Sequence, residues 1–191
     1  INIDLEAGYV IAKSKKMIGN KIVFPKISVG ATGNVLMAAV LAEGDTEIHN
    51  AAAEPEIQQL CLFLNEMGAK ISGIGTNVLS IQGVEKLGGV DSIDVIPDRI
   101  EAGTFLIAVA ATGGKVTLKN VEPKHMESVI HLLRRSNIDI VEGKDSIVIT
   151  SDGLDIKACN METHEYPGFP TDLQAQWMLL MSLASEDSTI K

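Results

Sequence analysis

The chain has 191 residues, 46% hydrophobic and 21% charged, a balance that excludes disorder and suits one sizeable core or two small ones. A net charge of −9 argues against a broad nucleic-acid-binding surface, which needs clustered Lys and Arg, while leaving room for a local basic pocket. Cys61 and Cys159 form no CxxC pair, so no metal site is expected and a cytosolic location fits.

Aromatics are only 4% of the chain, so Ala, Val, Ile, Leu and Met must build the core. The apolar runs, such as Val35 to Ala42 and Phe105 to Ala111, fall far short of the ~20 residues a membrane span needs. The first residue is Ile, no signal peptide opens the chain, and the last stretch is strand-like. Both ends read as cuts through a longer protein.

Residues 1 to 24 read as closing strands of a preceding unit. From Ser28 to Gly83 the order is a polar cap, an apolar helix over Gly30 to Ala42, a Gly turn and a strand over Glu47 to His49. An Asn turn follows, then an amphipathic helix with Ile57, Leu60, Cys61, Leu64 and Met67 on one face, then strands over Lys70 to Ser72 and Val78 to Gln82.

The same order returns from Asp98 to Gly153, at a step of about 70 residues. Gly33 matches Gly103, Gly44 matches Gly114 and Asn50 matches Asn120. The second copy predicts an apolar helix over Ile100 to Ala111 and an amphipathic helix carrying Met126, Val129, Ile130 and Leu133. Its strands are expected over Val116 to Lys119, Ile138 to Val141 and Ile147 to Thr150. A third copy begins near Thr171, with a helix over Leu173 to Ala184, and stops at Lys191.

The opening helix of each copy is apolar nearly all round, which in a water-soluble fold implies burial on every side. The second helix has one wet face. The expected fold is therefore α/β (α+β): repeated βαβαββ-type units with buried inner helices, enclosed by outer helices and small sheets.

Each inner helix begins with a capping residue: Ser28, then Asp98-Arg99-Ile100-Glu101, then Thr171-Asp172-Leu173-Gln174. Ordinary capping accounts for any one of them. If the copies pack around an axis, however, their positive helix ends gather and favour an anion such as a phosphate. The first start adds a cation, Lys26, and a small residue, Gly30, beside Ser28. The alternative is a surface lysine beside an ordinary cap.

The third start, Tyr166-Pro167-Gly168-Phe169-Pro170-Thr171-Asp172, is a stiff turn that delivers an acid to a helix start. Asp172 either caps or is free to bind a hydroxyl and take its proton. Glu54-Pro55-Glu56 opens the outer helix, where acids suit the dipole. Cys61 lies on an apolar stripe and Cys159 lacks a nucleophile turn. His49, His125, His131 and His164 show no ligand spacing, and Trp177 is expected to pack in the third inner helix.

Four motifs stand in one order: Lys26-Ile27-Ser28-Val29-Gly30-Ala31-Thr32, Glu54-Pro55-Glu56-Ile57, Pro97 to Phe105, and Phe169 to Gln176. Together they resemble the UDP-N-acetylglucosamine 1-carboxyvinyltransferase family over essentially the whole chain. The resemblance implies a protein of two domains, each an inside-out α/β barrel of three repeated units, with the active site between them. Residues 1–97 would finish one barrel and residues 98–191 would begin the other.

By the same resemblance, Lys26, Ile27, Ser28 and Val29 would bind the UDP part of the substrate. Asp172 would bind the sugar 3-hydroxyl and act as base, with Gly30, Glu54 and Arg99 as further candidate contacts. The implied reaction moves the enolpyruvyl group of phosphoenolpyruvate to that hydroxyl, by addition to the alkene and then loss of phosphate. It needs no cofactor, metal, nucleic acid or membrane, and belongs to peptidoglycan synthesis in the cytoplasm.

In that family the general acid, a Cys or occasionally an Asp, lies on a loop upstream of the matched region, as does a phosphoenolpyruvate-binding Lys-Asn pair. Neither Cys61 nor Cys159 matches, so this stretch alone is expected to be inactive. Ala53 departs from the Arg usual before the Glu-Pro-Glu motif. Two alternatives remain. One is an enolpyruvylshikimate phosphate synthase-like transferase, whose helix starts fit less well. The other is a non-catalytic repeat module binding a phosphorylated ligand.

Overall fold

In the computed structural model, which describes residues 2–191, the chain opens on an antiparallel hairpin of β1 (Asn2–Glu6) and β2 (Tyr9–Lys13). Its turn, Ala7-Gly8, has positive φ at both positions, the geometry that matches the twist of paired strands. β3 (Lys21–Val23) then pairs in parallel with β4 (Asp45–His49), and the connection between them holds helix α1 (Val29–Ala39). Helix α2 (Pro55–Glu66) leads to β5 (Lys70–Ser72) and β6 (Val78–Gln82), completing a sheet of order β3-β4-β6-β5.

The second copy follows with α3 (Arg99–Thr112), β7 (Gly114–Lys119), α4 (Glu127–Arg135), β8 (Asp139–Glu142) and β9 (Ser146–Ser151). Its sheet order, β7-β9-β8, reproduces β4-β6-β5 of the first. A long irregular segment leads to a short 3-10 turn at Thr171–Leu173 and helix α5 (Gln174–Ser182). The chain divides into two units, one ending at Val95 and the other spanning Ile96–Lys191.

Each unit has its own core. In the first, Leu36 of α1, Ile48 of β4, Leu79 and Ile81 of β6 and Cys61 of α2 pack together, all nearly or fully buried. In the second, Leu106 and Ile107 of α3, Ile147 and Ile149 of β9, Leu133 of α4 and Trp177 of α5 do the same. Alternation along β4, β6 and β9 puts Ile48, Leu79, Ile81, Ile147 and Ile149 on the inner face.

The predicted elements all form, some with displaced ends. The first inner helix stops at Ala39 rather than Ala42, because the chain tightens: the Ala42 N–H bonds to the Ala39 carbonyl and Gly44 turns left-handed at φ 84°. The third starts as a 3-10 turn and ends at Ser182 rather than Ala184.

The inner helices are not buried on every side. Met37 of α1 is 50% exposed, Phe105 of α3 54% and Leu179 of α5 59%. The outer helix and sheet present in each unit cover only one flank of the inner helix, and the sheets stay open, so no closed barrel forms among the described residues. No helix among them is long and apolar enough to cross a membrane.

Candidate functional site

The first candidate strip, Lys26 to Gly30, enters α1. The Ser28 hydroxyl caps the helix by accepting from the Ala31 N–H at 3.2 Å. Its oxygen is engaged, but its hydrogen remains available to an acceptor. Lys26 is exposed, Ile27 partly buried against the core, and Val29 exposed. A side chain at Gly30 would meet nothing within 4 Å, so packing in this chain does not require glycine there. The first turn thus presents open backbone beside a lysine.

Thr32, fully buried, ties this turn to the next motif. Its hydroxyl donates to the Ser28 carbonyl at 2.7 Å and accepts from the Ala52 N–H at 3.0 Å. The loop carrying Glu54 is thereby fixed to the start of α1. Glu54 is 5% exposed; its side chain makes no cap bond and its Oε2 is buried without a partner. Pro55 supplies the first turn of α2, where a missing N–H costs nothing.

The other candidates belong to the second unit. The Asp98 carboxylate caps α3, accepting from the N–H groups of Ile100 at 2.8 Å and Glu101 at 3.1 Å. Arg99 follows, its guanidinium carbon 5.7 Å from the centre of the Tyr166 ring. Asp172 is exposed in the 3-10 turn before α5. Neither Thr171 nor Asp172 caps with its side chain, so the choice between them as caps falls away and both side chains are free of that duty.

Contacts join the start of α3 to α5 and the loop before it: Arg99 over Tyr166, Gly103 against Leu173, and the Gln176 amide donating to the Thr104 hydroxyl at 3.0 Å. Arg99 and Asp172 are therefore held at one end of the second unit. Sequence reasoning gave Tyr166, Thr104 and Gln176 no role. The available signal was a polar side chain, Thr104 or Gln176, within the mostly apolar stretch of each helix.

The cysteines do not join either group. Cys61 is 1% exposed, and burial pushes its thiol up to about 11 despite an opposing backbone hydrogen bond. Cys159 is buried as well. A cavity of about 300 Å3 in the first unit is lined by Met17, Ile22, Val35, Ala39 and Ala42, beside the C-terminal half of α1 and away from the Lys26 strip.

The chain is similar to known proteins along its whole length. A UDP-N-acetylglucosamine 1-carboxyvinyltransferase of Clostridium botulinum is 46% identical over 189 residues, covering 99% of this chain and 45% of its own length. One of Vesicomyosocius okutanii is 50% identical over 188 residues, covering 98% and 45%. The chain thus spans less than half the length of these curated relatives.

Among solved structures, the enolpyruvyl transferase NikO of Streptomyces tendae superposes with a TM-score of 0.84 at 18% identity, over 99% of this chain and 48% of that one. An EPSP synthase of Acinetobacter baumannii gives 0.58 at 20% identity, over 92% and 40%. These likenesses carry the fold. The family model for EPSP synthase matches residues 1–191, so the repeated helix-and-sheet units described above are those of the EPSP synthase (3-phosphoshikimate 1-carboxyvinyltransferase) family, to which this chain belongs.

Proposed function

We propose that the chain is part of an enolpyruvyl transferase that moves the enolpyruvyl group of phosphoenolpyruvate to the 3-hydroxyl of UDP-N-acetylglucosamine and releases phosphate. The observation that carries this reading is the 46% and 50% identity, over nearly the whole chain, to two proteins of that activity. The solved EPSP synthase shares only 20% identity. The shikimate-type substrate is the weaker reading for that reason.

In this proposal residues 1–97 complete one barrel domain and residues 98–191 begin the other. The UDP diphosphate lies at the first turn of α1, where Lys26 supplies a cation, the Ser28 hydroxyl a donor, and Ile27, Val29 and Gly30 close backbone and apolar contact. The open space above Gly30 supports such an approach. Arg99 flanks the substrate, whereas Glu54, only 5% exposed, offers it little surface.

Asp172 takes the proton of the 3-hydroxyl as that oxygen bonds to C2 of the enolpyruvyl group. A general acid outside this chain protonates C3. Loss of phosphate with a C3 proton restores the alkene. The buried Cys61, its thiol pushed up in pKa, is unsuited to that acid role. The setting is cytoplasmic peptidoglycan synthesis.

Phosphate release by the full-length protein tests the substrate. Release with phosphoenolpyruvate and UDP-N-acetylglucosamine, and none with shikimate 3-phosphate, is the expected result. The reverse pattern would overturn the assignment.

A further inference from the structure

The Asp172 side chain makes no hydrogen bond or ion pair among the described residues. Its position is therefore set by its backbone, and the backbone by what holds the turn at Thr171–Leu173. Two neighbours do so. Leu173 is fully buried, and a Cβ at Gly103 would stand 2.5 Å from its Cδ1, so the α5 start rests directly on the α3 backbone. One turn after Asp172, Gln176 donates from Nε2 to Thr104 Oγ1 at 3.0 Å.

The direction of that second contact is fixed. Thr104 donates its own hydroxyl hydrogen to the Ile100 carbonyl at 2.8 Å, which leaves its oxygen as the acceptor for the amide. Gln176 Oε1 is buried without a partner. Among the described residues the bond to Thr104 is therefore the polar tether of that amide, and removing the hydroxyl leaves both of its ends unpaired. A shift of the turn relieves that cost, and Asp172 shifts with it.

We propose that Thr104 is a positioning residue: through the Gln176 amide its hydroxyl fixes the register of the Thr171–Leu173 turn on α3, and so the place of the Asp172 carboxylate. The catalytic meaning of this bridge rests on the proposed role of Asp172 as base. Misplacement of a reacting group by about 1 Å is enough to cost on the order of 10²-fold in rate. The effect falls mainly on kcat, because the diphosphate is held by the other unit's Lys26 strip and Asp172 touches only the reacting hydroxyl.

The test uses the full-length protein and compares Thr104→Val, which keeps the shape and loses the hydroxyl, with Thr104→Ser, which keeps the hydroxyl. Thr104→Val should lower kcat at least about tenfold, with KM for UDP-N-acetylglucosamine within about twofold, and Thr104→Ser should restore kcat. Gly103→Ala, which pushes on Leu173 from the same side, should show the same split. Hydrogen exchange at the amides of Leu173 to Trp177 should quicken in Thr104→Val and not in Thr104→Ser.

An unchanged kcat in Thr104→Val overturns the positioning role, whether or not the melting temperature falls. Unchanged exchange overturns the bridge itself. If the unmodified protein does not turn over the nucleotide sugar, the proposed function fails, and the exchange data still decide whether the bridge sets the turn.

Discussion

Asn50 and Asn120 occupy the same point of the repeated unit and share one backbone conformation, left-handed with φ 56° and 55°. Each ends the first strand of its copy, β4 or β7, and turns the chain toward the outer helix. Asn tolerates this region better than other residues with a Cβ because its short amide bonds locally. The two differ in what else they do. Asn50 donates from Nδ2 to the Phe24 carbonyl at 2.7 Å, whereas Asn120 is exposed.

That difference makes a paired prediction. Asn50→Gly keeps the turn but loses the hydrogen bond, at a cost of about 1 kcal/mol. Asn120→Gly should change stability by no more than about 0.5 kcal/mol. Asn→Ala should cost about 1 kcal/mol or more at both, from the strained φ alone. Urea unfolding of the four full-length variants checks the order; equal losses for the two glycine variants would contradict it.

Lys26 and Asp172 should fail in different ways. Lys26→Ala removes a charge-assisted contact to the diphosphate and should weaken UDP-N-acetylglucosamine binding at least about tenfold by calorimetry. Asp172→Asn removes the base and should lower kcat by about 10² to 10⁴-fold. Unchanged binding in Lys26→Ala or unchanged turnover in Asp172→Asn would remove that residue from the site.

Much of this was legible in the sequence because the repeat is written in residues with strong local meaning. Gly44 and Gly114 are both left-handed, as are Asn50 and Asn120, and the strands over Lys70–Ser72 and Val78–Gln82 fall at the expected residues. Apolar periodicity separated α2 and α4 from α1, α3 and α5 for the same reason. The bridge between Thr104 and Gln176 was not legible. It depends on how α5 lies on α3, and no pattern within either helix encodes that register. The burial of Glu54 was hidden likewise, since an acid at a helix start reads as solvated until the Thr32–Ala52 bond draws its loop onto α1.

Cys61 should be inert in the folded protein. Thiolate is the reactive form, and a pKa near 11 leaves only about one thiol in a thousand ionised at pH 8. Its side chain is also 1% exposed. Iodoacetamide at pH 8, followed by peptide mapping of the full-length protein, should leave Cys61 unlabelled in buffer and fully labelled in urea. Rapid labelling of the native protein would show that α2 opens more readily than its core packing implies.

Asp152 gives a pH dependence whose sign follows from its partners. Its carboxylate accepts from the N–H groups of Leu154 at 2.9 Å and Asp155 at 3.2 Å, and these bonds hold its pKa below the ordinary carboxylate value. A lowered folded-state pKa stabilises the fold above the unfolded value and loses that effect as pH falls through the folded one. The urea midpoint of Asp152→Ala should therefore lie below the unmodified protein's at pH 7, and the gap should stay level down to about pH 5. Below about pH 4 the gap should narrow as the carboxyl protonates. Asp152→Asn keeps an acceptor oxygen without the titration, so its gap at pH 7 should be smaller than that of Asp152→Ala and should shift over the same pH range, because the titrating group is the unmodified protein's own. A gap for Asp152→Ala that widens toward acid would mean that the carboxylate is opposed, not supported, by its surroundings.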